Sequence, residues 1–181
     1  KAPIEIIRNE NSNNLYVFFG GIAAGIAMPV FEFYNASKIL DENRIFVRDF
    51  DQCWYHTGLP EISSDIKGTA EYLKKEIEAI QPEKIFFVGN SMGGFAAILF
   101  SQLLNLDNVN VIAFAPQTSI SPWFRLVNRD RRWRKQIRKT HFKSFSKTRC
   151  WDVKKRISGK TKISIFVSSD DRCDLIHARH L

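Results

Sequence analysis

The sequence predicts an α/β domain, a mostly parallel β-sheet flanked by helices. Three observations predict it. Five short runs rich in β-branched and aromatic residues are nearly continuous in apolar character, as strands covered on both faces are. Amphipathic stretches of helical period alternate with them. One strand leads through the glycine-bounded turn Gly89-Asn90-Ser91-Met92-Gly93 straight into an apolar helix.

The elements follow in chain order. Ile4 to Ile7 is a candidate edge strand. Asn14 to Phe19 (NLYVFF) reads as a buried strand ending at Gly20-Gly21. Arg44 to Arg48 (RIFVR), Lys84 to Val88 (KIFFV), Val109 to Ala115 (VNVIAFA) and Lys162 to Val167 (KISIFV) complete the set. A helix is expected from about Asp65 to Ile80. Ile66, Ala70, Leu73, Ile77 and Ile80 recur on one of its faces. Ser63 or Ser64 can cap it, and Pro82 blocks its continuation. The helix after Ser91 carries Ala96, Ala97, Leu99, Phe100, Leu103 and Leu104, so it should be buried. Right-handed crossovers bring the ends of the parallel strands to one edge of the sheet, where sites form. Residues 121–156 lack a strand signal and are rich in Trp, Arg and Lys. They read as a basic, cap-like insertion within a single domain spanning residues 1–181.

Bulk properties narrow the class. With 44% hydrophobic and 25% charged residues, the 181-residue chain is neither disordered nor fibrous. The longest apolar run, Leu15 to Phe31, contains Gly20, Gly21, Gly25 and Pro29. It suits a strand and glycine-rich loop better than a membrane span. Cys53, Cys150 and Cys173 share no metal-ligand spacing and read as reduced, buried thiols of a cytoplasmic protein. No metal and no cofactor is expected. The chain opens at Lys1 rather than Met, which suggests a processed form or a fragment; no signal peptide is visible.

The glycine-bounded turn carries the chemistry. A side chain at Gly89 or Gly93 would collide with neighbouring backbone, and the tight turn lifts the Ser91 hydroxyl above the sheet edge. The N-terminus of the following helix then faces a reacting carbonyl, so the Met92 N–H is a candidate oxyanion donor. A Walker-type loop is excluded because no Lys-Ser/Thr pair follows, and the G-x-G-x-x-G dinucleotide pattern is absent.

Phe87 to Ala97 (FVGNSMGGFAA) resembles the nucleophile elbow of the α/β-hydrolase superfamily. The segments FFGG, RDFDQCWYHTG and SSDDRCDLIHA are similar to those of a less characterised bacterial subgroup that accompanies surface-glycan biosynthesis. The resemblance implies a three-layer α/β-hydrolase-like fold lacking its last strand, and chemistry on esters with Ser91 as nucleophile. It places the second oxyanion donor at Gly21, with Phe19 where the family often has His. It places the triad acid at Asp171, with Asp174 and then Asp170 as alternatives; these acids could equally cap a helix beginning near Asp174. No histidine follows in the family's position. His177 and His180 read as surface or packing residues, and His141 has no evident partner. His56 lies in the loop after RIFVR. It is a substrate contact, a displaced base or a loop histidine bonded to its neighbours, with Trp54 and Tyr55 as a possible pocket wall. Two expectations account for the missing base: the chain is short at its C-terminus, which the absent Met and abrupt end favour, or the domain is a degenerate hydrolase.

The net charge is +8, and residues 125–139 (RLVNRDRRWRKQIRK) concentrate it. They can form a solvated helix anchored by aromatic residues, or bind an acidic substrate or membrane surface. Nucleic acid is not expected, because no nucleic-acid-binding fold accompanies them. The sequence therefore suggests a serine hydrolase or acyltransferase acting on a small-molecule or glycan ester. The rival reading is a catalytically incomplete module that binds an anionic glycan, a membrane surface or a protein. The oligomeric state stays open.

Overall fold

The computed structural model describes residues 2–22, 31–145, 147 and 149–181. Six strands form one sheet: β1 (Ile4–Ile7), β2 (Asn14–Phe19), β3 (Asn43–Val47), β4 (Lys84–Asn90), β5 (Val109–Phe114) and β6 (Lys162–Phe166). Their order is β1-β3-β2-β4-β5-β6. Only β1 runs antiparallel, pairing Ile4 with Val47. From β2 the chain moves outward to β3, then crosses back so that β4 lies on the other side of β2. That reversal puts the topological switch point between β2 and β4, where Phe19 is in register with Gly89.

Helix α1 (Ile66–Ile80) buries Ile66, Ala70, Leu73 and Ile77. Helix α2 (Met92–Leu103) is buried continuously from Met92 to Ser101. Both belong to the larger core, with Leu15, Val17, Phe19, Ile85 and Phe87 from the sheet. The opposite sheet face packs Phe18, Phe46 and Val88 beneath Phe31, Phe33 and Tyr34. A 3-10 turn at Ala36–Ile39 lies in this covering segment.

Two local expectations are corrected. Helix α1 is capped by Asp65, whose carboxylate accepts the Gly68 N–H at 2.9 Å, and not by Ser63 or Ser64. Ser63 instead shares a hydrogen bond with Thr69 at 2.7 Å and accepts the Leu59 N–H. Strand β6 is not covered on both faces: Lys162 and Phe166 are exposed and the residues between are half-buried. It forms the sheet edge, where only β5 pairs with it.

The segment between β5 and β6 folds as α3 (Pro122–Val127), α4 (Arg134–Lys143) and a 3-10 turn at Val153–Arg156. Ile120, Ile137, Cys150 and Val153 join the main core. Trp133 packs against that core, whereas Trp123 is 74% exposed. Lys139 and Lys143 reach Asp51 in the loop after β3. Helix α5 (Arg172–His180) ends the fold. Among the described residues, no helix is long and apolar enough to cross a membrane.

Candidate active site

Ser91 sits between β4 and α2 with φ 54° and ψ −116°, a backbone conformation that L-residues rarely adopt. The surroundings impose it. A Cβ at Gly89 would lie 2.1 Å from the Gly93 carbonyl oxygen, and one at Gly93 would lie 2.0 Å from the Phe19 carbonyl oxygen. Gly94 has little more room, with a Cβ there meeting Pro116 Cβ at 2.9 Å. The turn is tied on both sides. The Ser91 N–H donates to the Phe114 carbonyl at 2.8 Å, and the Ser91 carbonyl accepts from Phe95 and Gln117. The Ser91 hydroxyl makes no hydrogen bond among the described residues and is only half-buried. The Met92 N–H at the start of α2 likewise meets no acceptor among them.

The turn after β2 comes alongside. A Cβ at Gly21 would approach the Asn90 carbonyl oxygen to 2.9 Å. The Gly21 N–H is already engaged, however: it donates to Glu32 Oε2 at 2.7 Å. The other oxygen of the same carboxylate accepts from Asn90 Nδ2 at 3.0 Å. Glu32 thus bridges the turn and the residue preceding Ser91. Sequence reasoning missed it. The available signal was a lone acid inside the aromatic run Phe31-Glu32-Phe33-Tyr34, where nothing in a helical or strand pattern calls for a charge.

The loop after β3 braces both parts. Asp49 is buried and its carboxylate accepts the backbone N–H groups of Asp51, Cys53 and Tyr55. Burial raises its pKa, and these hydrogen bonds oppose the rise. Tyr55 donates its hydroxyl proton to the Gly20 carbonyl at 3.0 Å, with the Val47 carbonyl also near at 3.2 Å. Trp54 Nε1 donates to Gln117 Oε1 at 3.0 Å, and Gln117 in turn holds the Ser91 carbonyl. Trp54 and Tyr55 are fully buried. They are struts of the core and not an exposed pocket wall.

The histidines are all occupied elsewhere or enclosed. His56 is fully buried. Its Nδ1–H donates to the Trp54 and Cys53 carbonyls at 2.9 and 3.1 Å, and Nε2 has no hydrogen-bond partner among the described residues. Burial pushes its pKa down to about 4. His177 pairs with Asp130 through Nε2 at 3.1 Å and lies 3.2 Å from the Thr118 hydroxyl through Nδ1. His141 Nε2 bonds the Ile120 carbonyl, and His180 Nε2 bonds Asp152. Among the described residues no histidine bonds to Ser91 or Asp171.

Asp171 caps α5. Its Oδ1 accepts the Asp174 N–H at 2.9 Å, and the side chain is 47% exposed, 3.9 Å from Arg132. Asp174 bonds Arg132 Nη1 at 2.7 Å. Both candidate acids therefore face Arg132. The three cysteines are free thiols, with Cys53 and Cys150 buried. No cluster of metal-ligating side chains occurs among the described residues.

Solved structures share this architecture. The capsule O-acetyltransferase of Neisseria meningitidis serogroup A aligns with a TM-score of 0.68 at 15% identity, covering 98% of this chain and 76% of that one. MGS-M2, an α/β-hydrolase from a Medee basin deep-sea metagenome library, aligns with a TM-score of 0.61 at 15% identity over 98% and 80% of the two chains. Esterase B from Lactobacillus rhamnosis gives 0.56 at 10% identity over 93% and 71%. The fold is that of the α/β-hydrolases. No curated protein matches at the sequence level. A family model described as "Uncharacterised protein family (UPF0227)" matches residues 37–179.

Proposed function

The chain belongs to the uncharacterised protein family UPF0227, and within that family we propose that it is an ester-acting serine enzyme, an esterase or acyltransferase, with Ser91 as nucleophile. The observation that carries the reading is the strained Ser91 backbone at a strand-to-helix elbow whose glycines leave no room for a Cβ. Such strain persists only where the surroundings over-determine it, and it clusters at active sites.

The chemistry runs in two balanced steps. The Ser91 oxygen bonds to the acyl carbon and gives its proton to a base, and the ester C–O bond breaks as the alcohol leaves with a proton. Water or an acceptor hydroxyl then attacks the acyl carbon and gives its proton to the base, and the acyl–Ser91 bond breaks as the Ser91 oxygen takes that proton back. The Met92 N–H is free to take the developing oxyanion. The Gly21 N–H becomes its second donor when the acyl oxygen displaces Glu32 Oε2, while Asn90 retains the other carboxylate oxygen. Asp171 is the acid that would orient the base, with Asp174 in reserve; His56 could serve only if its enclosing loop opened. An acylated glycan is the proposed substrate class. It is supported by the similarity to a surface-glycan subgroup and by a structural relative that is a capsule O-acetyltransferase.

One observation favours a second reading. No described histidine reaches Ser91, which suits a hydrolase scaffold used as a binding module. A fluorescent serine-reactive phosphonate separates the two. An adduct at Ser91, located by mass spectrometry and absent from Ser91→Ala, supports the enzyme. Absence of any adduct on the folded protein abandons it for the module.

A further inference from the structure

Helices α3 and α4, with the loop between them, line an open cleft of about 790 Å³. Pro122, Leu126 and Ile137 give it an apolar lining, and Ile137 is buried. Its other walls are cationic: Arg125, Arg129, Arg131, Arg134, Lys135 and Arg138. Asp130 also faces it, but that carboxylate is committed to Arg132, Arg125 and His177.

The cations of this region divide into two groups. Lys139 and Lys143 share the Asp51 carboxylate, and Arg132 pairs with Asp130 and Asp174. Arg129, Arg131, Arg134, Lys135 and Arg138 have neither an ion pair nor a side-chain hydrogen bond among the described residues. All five line the cleft. Arg134 and Arg138 are four residues apart on α4, so they share a helix face. Like charges so close repel one another, and a bound anion relieves that repulsion.

We infer that this cleft is a binding site for a small organic polyphosphate of the nucleoside-diphosphate kind. Most of its cations are arginines, whose planar forks match phosphate oxygens in paired hydrogen bonds. Unpaired cations come both from α4 and from the loop before it, which suits more than one phosphate group. The cleft has the volume of a small-molecule pocket, and its apolar lining can take a ring or an alkyl chain. Its α3 wall follows closely in the chain on a segment that bonds the Ser91 turn. Gln117, which holds the Ser91 carbonyl, shortly precedes Pro122, and Arg132 contacts Asp171. On the acyl-transfer reading, and resting on it, the phosphate would belong to the acyl donor. The phosphate site itself does not depend on that reading.

Calorimetric titration of the whole chain at about 150 mM salt tests this with ADP and pyrophosphate, and with adenosine as the uncharged comparison. The expected result is saturable one-to-one binding of both phosphates and none of adenosine. Arg134→Ala with Arg138→Ala should weaken binding by about a hundredfold, about tenfold for each charge-assisted hydrogen bond removed. Arg129→Gln provides an independent variant should the pair fail to fold. Lys75→Ala, on α1, should bind as the parent does, and so should Ser91→Ala. The inference is overturned if neither phosphate saturates, if the folded cleft variants bind as tightly as the parent, or if only long polyanions bind and ADP does not displace them. Phosphonate labelling of Ser91, run on the same samples, reports on the acyl-enzyme reading separately. Its failure leaves phosphate binding standing, and the reverse also holds.

Discussion

At the scale of single residues, the site depends on what is absent. Gly93 has no Cβ because the Phe19 carbonyl stands where one would go, at 2.0 Å. Gly93→Ala should therefore cost about 3 kcal/mol, the upper end of ordinary overpacking, measured by urea unfolding, and should lower Ser91 labelling in whatever protein still folds. Ser91→Ala should remove labelling and ester turnover while leaving the fold intact, and it should relieve no strain because alanine is no better suited to φ 54°. Glu32 adds a test of the oxyanion site. A carboxylate beside a developing oxyanion opposes it, so Glu32→Gln should label severalfold faster; slower labelling would instead assign Glu32 to holding the Gly21 turn in place. Ser91, Gly89 and Gly93 were legible in the sequence because the turn geometry leaves few residue choices. Glu32 was not, since its partners Gly21 and Asn90 come from segments that only the sheet brings together.

Among elements, the loop between α3 and α4 makes a buried polar joint with α5. Asp130 is 5% exposed and His177 1%, and Arg125 and Arg132 complete the cluster. Burial alone would raise the Asp130 pKa. The hydrogen bonds from His177 and Arg132 outweigh it and hold the carboxyl well below its ordinary range. Asp130→Asn should lower stability by about 1–3 kcal/mol, because Arg125, 12% exposed, loses its carboxylate partner and His177 Nε2 its acceptor, while Arg132 keeps Asp174. Thermal melts at neutral pH would show this, and a change smaller than about 1 kcal/mol would mean the pair behaves as an exposed one. The helices themselves were readable from their periodicity. Their polar joints were not: Asp130 pairs with a histidine 47 positions away, and no local pattern marks that distance. The same limit explains the cap of α1. Ser63, Ser64 and Asp65 all suit the role, and it is the contact between Ser63 and Thr69 that leaves the position to Asp65.

For the whole molecule, the parallel sheet and its flanking helices were legible in the alternation of apolar runs, down to the edge strand at Ile4–Ile7, whereas the strand order and the switch point emerge only from the folded sheet. His56 bonds its loop neighbours, one of the readings the sequence offered, but its full burial had no local signal, and that burial sets a pH dependence. Its folded pKa, about 4, lies below the ordinary 6.5, so the unfolded chain takes up a proton first as pH falls. Stability from this group is complete above pH 6.5 and is lost progressively toward pH 4. The loss is about 3 kcal/mol. Denaturant midpoints across that window should fall in the parent and fall less in His56→Gln; equal slopes would remove His56 as the cause. The pairing of β2 with β4 has a kinetic consequence. It joins Asn14 to Lys84, and the carbonyl of Phe19 in β2 forms one wall of the elbow at Gly93. During synthesis, the nucleophile turn cannot mature when its own residues emerge, because Phe114 and Gln117, which bond the Ser91 backbone, follow it in the chain. It must wait for a long loop to close, a slow search of the kind that governs sheets built from distant segments. Reactivity at Ser91 would then mark molecules in which β2, β4 and β5 have already come together, and a phosphonate added during refolding would count them.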